Sequence, residues 1–174
     1  SWGIGTHMVT GGNEASFTGV YKLGARHDEA TNEMKAAMKF SDNPEKNTNP
    51  GIKNVYRLYD ADGNAKADII ALEDEKIETG LEYRYYHTMV DYRQFVFTAS
   101  KVEPMLKKVV EGGKRIGEKK SEAEVLRKAR ETMQSQLESF DASYKRILNP
   151  HIYKVSLTEA MRNLKMEFIK ARIK

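Results

Sequence analysis

The pattern of apolar and polar residues changes once along this chain. Up to residue 120, short apolar runs are separated by clusters of Gly, Asp, Asn and Pro. Beyond it, apolar residues recur every three to four positions. The first pattern belongs to strands and turns, the second to amphipathic helices. The runs 55–59 and 65–72 flank Asp60-Ala61-Asp62-Gly63-Asn64 and predict a hairpin. Further strands are expected at 17–23, 83–87, 94–99 and 102–110. Glu111-Gly112-Gly113-Lys114 reads as a turn into a short return strand. Residues 24–38 are polar and read as a loop or insertion with some helical tendency.

Ser121-Glu122-Ala123-Glu124 has the spacing of a capping box, a hydroxyl at the N-cap and a carboxylate three residues on. Leu126, Ala129, Met133, Leu137, Phe140, Tyr144 and Ile147 follow at helical spacing, which predicts a helix over 121–147 that stops at Asn149-Pro150. Ser156-Leu157-Thr158-Glu159 repeats the cap. Leu157, Ala160, Met161, Leu164 and Phe168 form a second stripe behind it. Both stripes read as packing faces. The fold class expected is α+β, with antiparallel strands and hairpins followed by two amphipathic C-terminal helices.

Composition narrows the function classes. With 40% hydrophobic residues, nine Tyr, six Phe and eight Met, the chain has enough apolar surface for a core and too much for a disordered tail. The absence of Cys excludes disulfides, thiolate metal sites and a cysteine nucleophile, and is compatible with a reducing compartment. No run reaches the roughly 18 apolar residues of a membrane span, so a membrane is not an expected partner. The net charge of +4 conceals an asymmetry: residues 1–100 carry 11 Lys/Arg against 15 Asp/Glu, residues 101–174 carry 18 against 10. The basic residues of the second part are interspersed with glutamates and lack stacking aromatics between them. That is a mixed-charge surface, and nucleic acid is not the expected partner.

Candidate chemistry begins at Gly3-Ile4-Gly5-Thr6. Glycines let a ligand approach the main chain, successive N–H groups form an anion-binding concavity, and the Thr6 hydroxyl adds a donor. Such a loop ordinarily follows a strand, and none precedes it here, so a piece of a larger protein is expected. Lys39, Ser41 and Lys46 form a second polar cluster, two ammonium groups and a hydroxyl suited to neutralising phosphate. The string Asp60-x-Asp62-Gly63 reads as a turn and not a calcium loop, because Ala71 and Leu72 stand where the closing Glu would be. His7, His27, His87 and His151 show no metal-ligand spacing, so no metal site is expected. For His151, directly after a proline, packing or capping is the expected role.

Several ordered segments go beyond these single motifs. Gly3-Ile4-Gly5-Thr6, then Gly19-Val20-Tyr21-Lys22-Leu23, then Lys39 through Lys46 (K-F-S-D-N-P-E-K) and Asn149-Pro150-His151-Ile152-Tyr153-Lys154-Val155-Ser156-Leu157 occur in this sequence. Their succession resembles the C-terminal part of bacterial nicotinate phosphoribosyltransferase, over 2–75 and 147–165 and more thinly between. The resemblance implies an enzyme that joins nicotinate and phosphoribosyl pyrophosphate into nicotinate mononucleotide, with ATP hydrolysis and Mg²⁺ as helpers, in NAD biosynthesis.

It further implies a cytoplasmic homodimer built on an irregular α/β barrel. Residues 1–16 would be the phosphate-loop remnant of that barrel, 17–120 a strand-rich region and 121–174 a helical region. Gly3, Gly5 and Thr6 would hold the 5-phosphate, and Lys39, Ser41 and Lys46 would lie near the substrate. The phosphorylated histidine, the nicotinate pocket and the ATP and Mg²⁺ sites would belong to a missing N-terminal part, leaving this chain inactive alone. From the residues by themselves, two other classes stay open: a non-catalytic subunit-assembly module and a polyanion-binding module.

Overall fold

The computed structural model of the protein describes residues 21–42, 46–90, 92–117 and 120–173. The elements among them are β1 (Ala25–Asp28), β2 (Glu33–Ala36), β3 (Lys53–Tyr59), β4 (Ala65–Leu72), β5 (Glu82–His87), β6 (Gln94–Thr98), β7 (Lys101–Pro104), β8 (Val110–Glu111), β9 (Lys114–Arg115), α1 (Glu122–Glu138), β10 (Lys154–Leu157) and α2 (Glu159–Ile173).

β3 and β4 form the expected hairpin. Period-two alternation along β4 puts Ala65, Ala67, Ile69 and Ala71 on one buried side. In the turn between them the Asp60 carboxylate accepts from the N–H groups of Asp62 at 3.1 Å and Asn64 at 2.8 Å, and Lys66 bridges to it at 3.0 Å. The Asp/Gly cluster is thus spent on closing the turn.

Six strands form one sheet in the order β6-β5-β10-β4-β3-β7. Its two edge strands, β6 and β7, are joined by Ala99 and Ser100 alone. Three peptide steps span at most about 11 Å, so the sheet must curl until its edges approach. Ala99 accepts from the Gly80 N–H at 2.9 Å, and the Ser100 N–H donates to the Tyr59 carbonyl at 2.9 Å, which fastens the joint. Inside the curl lies the core of Leu58, Ala67, Ile69, Ile77, Tyr85 and Ala99, flanked by Tyr56, Tyr83, Phe95, Phe97 and Val102.

The central position belongs to β10, in the region expected to be helical. It pairs parallel with β4 (Leu157 opposite Ile70) and antiparallel with β5 (Leu157 opposite Tyr86), so the sheet is mixed and not antiparallel throughout. The second cap is corrected accordingly. Ser156 and Leu157 are buried strand residues, and Thr158 is the cap: its hydroxyl accepts from the Met161 N–H at 3.2 Å and donates to Glu75 Oε2 at 2.7 Å. From there α2 lies on the outer face of the sheet, with Met161 fully buried and the Arg162 guanidinium 4.8 Å from the Tyr86 ring centroid.

Three further expectations change. α1 stops at Glu138 and not near 147, because the Ser139 carbonyl accepts from the Ala65 N–H at 2.8 Å and Phe140 bridges to Ala65. Asp141 then opens a separate 3-10 turn over Ala142–Tyr144, its carboxylate accepting from the Ser143 N–H at 2.8 Å. Residues 24–38 hold the β1–β2 hairpin, turning through Asn32 at φ 54°, in place of a loop with helical tendency. The run 102–110 is divided between β7 and β8, and β8–β9 is the expected return hairpin. Of the strand expected at 17–23, residues 17–20 lie outside the described residues and 21–23 are irregular.

Candidate functional site

The loop between β2 and β3 carries Lys39, Ser41 and Lys46, and its base is organised by Gly24. The Gly24 carbonyl accepts from both the Ala37 N–H at 2.8 Å and the Gly51 N–H at 2.7 Å, gathering the start of β1 and the two ends of the loop. A Cβ at Gly24 would stand 2.6 Å from Lys53 Nζ and 3.1 Å from the Gly51 carbonyl oxygen, so a side chain here would displace the lysine and crowd the loop base. Lys53 Nζ donates to the carbonyls of Asn49, at 2.8 Å, and Gly51. Burial there pulls the Lys53 pKa below that of an ordinary lysine. Gly51, at φ +85°, sits between Leu72 and Leu164, which locks the loop base against α2.

Higher up, the loop narrows to a neck. The Lys39 N–H donates to Thr48 Oγ1 at 2.9 Å, the Thr48 N–H returns to the Lys39 carbonyl at 3.2 Å, and the Ser41 N–H donates to Asn47 Oδ1 at 2.7 Å. The Arg172 guanidinium of α2 lies 4.7 Å from the Phe40 ring centroid and steadies this neck from outside.

The structure separates the residues selected from sequence. Lys46 lines a cleft of about 560 Å³ together with Lys22, Lys53, Asn47 and Asn49. Lys39, exposed, and Ser41, half-buried, stand at the neck and do not line it. Gly3, Gly5 and Thr6 lie outside the described residues. Lys22 and Lys53 had not been singled out. The available signal was the position of Lys22 inside the Gly-Val-Tyr-Lys-Leu segment and of Lys53 just past a Pro-Gly turn. Three ammonium groups and two carboxamides, with no carboxylate, give this lining a positive charge, although Lys53 already donates to two carbonyls.

A second cluster lies on the outer face of the sheet. Arg57 makes a two-pronged ion pair with Asp68, Nε to Oδ1 and Nη2 to Oδ2, both at 2.8 Å. The Tyr153 hydroxyl donates to Asp68 Oδ1 at 3.1 Å, and the rings of Phe140 and Tyr153 flank the guanidinium at 5.1 and 5.9 Å. The hydrogen bonds to Asp68 hold the Arg57 pKa above its ordinary value, and burial raises that of Tyr153. Nearby, His151 is exposed, its Nε2 3.2 Å from Arg146 Nη2 and its ring edge-on to Tyr144. Among the described residues, no group of His, Asp and Glu side chains is placed to hold a metal ion, and no helix is long and apolar enough to cross a membrane.

The family model of the nicotinate phosphoribosyltransferase C-terminal domain matches residues 52–165, from the start of β3 well into α2. The chain belongs to this family. The domain is 29% identical to nicotinate phosphoribosyltransferase of Bacillus subtilis over 169 residues, which covers 97% of this chain and 33% of that protein. It is 32% identical to the Homo sapiens enzyme over 163 residues, covering 93% of this chain and 28% of the relative. The chain therefore spans about a third or less of the length of these curated relatives. A crystal structure of human nicotinic acid phosphoribosyltransferase matches the fold with a TM-score of 0.61, over 70% of this chain and 24% of that one, at 23% identity. The lysine cleft straddles the N-terminal border of the matched domain, since Lys53 lies inside it while Lys22 and Lys46 precede it.

Proposed function

We propose that this chain is the C-terminal portion of an enzyme that transfers ribose 5-phosphate from phosphoribosyl pyrophosphate to the ring nitrogen of nicotinate. The products are nicotinate mononucleotide and pyrophosphate, in the cytoplasmic synthesis of NAD, and the working unit is a homodimer. The observation that carries this reading is the similarity to the Bacillus subtilis enzyme, which runs through nearly the whole chain.

Such a transfer builds positive charge at ribose C1 as pyrophosphate departs, so the protein must orient the sugar and hold its phosphates. The cleft of Lys22, Lys46 and Lys53 supplies positive charge to an anionic substrate, and the neck bonds at Lys39 and Ser41 keep Lys46 in place. Gly3, Gly5 and Thr6 grip the 5-phosphate through backbone N–H groups and a hydroxyl. We assign the Mg²⁺ and ATP sites, the phosphorylated histidine and the nicotinate pocket to the N-terminal part, so the 174-residue chain is inactive alone.

The test is to join this chain to the N-terminal part and assay nicotinate mononucleotide. Lys46→Ala is expected to raise KM for phosphoribosyl pyrophosphate about tenfold, the loss of one charge-assisted contact of roughly 1.4 kcal/mol. A joined enzyme that forms no nicotinate mononucleotide would overturn the reading.

A further inference from the structure

α1 carries an apolar seam that nothing in the described structure covers. Val125, Ala129, Met133 and Leu137 line a groove of about 950 Å³ whose base holds Phe140 and Arg57. No residue of α1 is buried: Val125, Met133 and Leu137 remain 47%, 56% and 47% exposed. The helix is tied to the sheet at its C-terminal end, where Ser139 and Phe140 meet Ala65. Most helical stability in proteins comes from tertiary packing of an apolar face, so a covering partner would supply the packing that α1 lacks here.

The lining also states what that partner must carry. Lys120 and Lys128 line the groove, and no carboxylate does. The Lys128 ammonium repels that of Lys120 and lowers the Lys120 pKa. A carboxylate laid between them would relieve that repulsion. Arg57, by contrast, is already neutralised by Asp68. A second copy of this face is the wrong complement, since it would bring two more ammonium groups and no lining acid. The size of the partner follows from the comparisons, because two thirds of the Bacillus subtilis relative has no counterpart in this chain.

We propose that the α1 groove docks the N-terminal, catalytic part of the same enzyme, which lays an apolar surface edged with carboxylates along Val125, Met133 and Leu137. The inference rests on the functional reading above and adds the surface through which the two parts are held together.

Amide hydrogen exchange tests it, measured on the joined enzyme and on the 174-residue chain at two protein concentrations. Docking is expected to slow exchange over 122–138 by about 100-fold or more in the joined enzyme, since cooperative packing adds to local opening energies. Met133→Glu in the joined enzyme should remove most of that slowing, and Lys128→Glu part of it. Equal exchange in both proteins overturns the proposal. So does slowing in the 174-residue chain that grows with its own concentration, which would mean self-pairing. An assay of nicotinate mononucleotide on the same samples separates the two readings. Slow exchange without product leaves docking standing and removes the activity; product with fast exchange does the reverse.

Discussion

The two helices of this domain start alike and end differently. Each has a hydroxyl cap, Ser121 for α1 and Thr158 for α2, and each carries an apolar stripe at helical spacing. Yet α2 buries Met161 completely and rests on β4 and β5, while α1 buries no residue. The difference lies in delivery. α2 leaves the central strand β10 through the single residue Thr158, so it emerges directly over the sheet. α1 meets the sheet only as it ends. Caps and period state that a helix forms, and topology decides whether its stripe finds a floor.

The sharpest way to break this contrast is through the anchors. Asp68→Ala would strand the Arg57 guanidinium beneath Phe140 and cost roughly 3–5 kcal/mol, as removal of one partner of a buried pair does, read as a fall in the urea midpoint. Little change would show that the α1 anchor is wet and dispensable. Next, Met161→Ala in α2 should cost about 2–4 kcal/mol, whereas Met133→Ala in α1 should stay within roughly 0.5 kcal/mol in this chain. Equal losses would dissolve the comparison.

A finer test lies in the caps. Ser121→Ala should cost about 1 kcal/mol or less. Thr158→Ala should cost more, because its hydroxyl also donates to Glu75 at 2.7 Å. A further test is a pH limb at Tyr59, beside the Ala65 joint where α1 ends. Burial, then the hydrogen bond to Glu103, pushes the Tyr59 pKa from 10.0 up to about 12. The folded state keeps this proton longer than the unfolded chain does, so stability is full below pH 10.0 and declines as pH rises toward about 12. Thermal midpoints of Tyr59→Phe should lack this part of the alkaline decline.

What could be read from the sequence was what local chemistry decides. The β3–β4 hairpin, the Glu111–Lys114 turn and the α1 capping box each depend on residues within a few positions, and each is present as expected. β10 was missed because four residues show too few alternations, and Ser156-Leu157-Thr158-Glu159 imitates a cap. Its strand character comes from partners some 70 to 90 positions away. The β1–β2 hairpin hid behind charged residues, since its strands bury almost nothing. The candidate site was half legible. Lys46 stood in a recognisable segment, but its cleft exists because Gly24 draws distant backbone together and α2 braces Phe40.

The position of β10 has a consequence for how this chain comes to exist. Synthesis proceeds from the N-terminus, and the strand that joins the β4 side of the sheet to the β5 side is the last to be made. Until residue 157 has left the ribosome, β4 and β5 each present an open edge with no neighbour to fill it. The sheet therefore closes late and all at once, around contacts of long sequence separation, which makes for slow folding. A chain cut at Pro150 would not be a shorter version of this domain but two unsealed half-sheets, each with the kind of bare edge that recruits other chains.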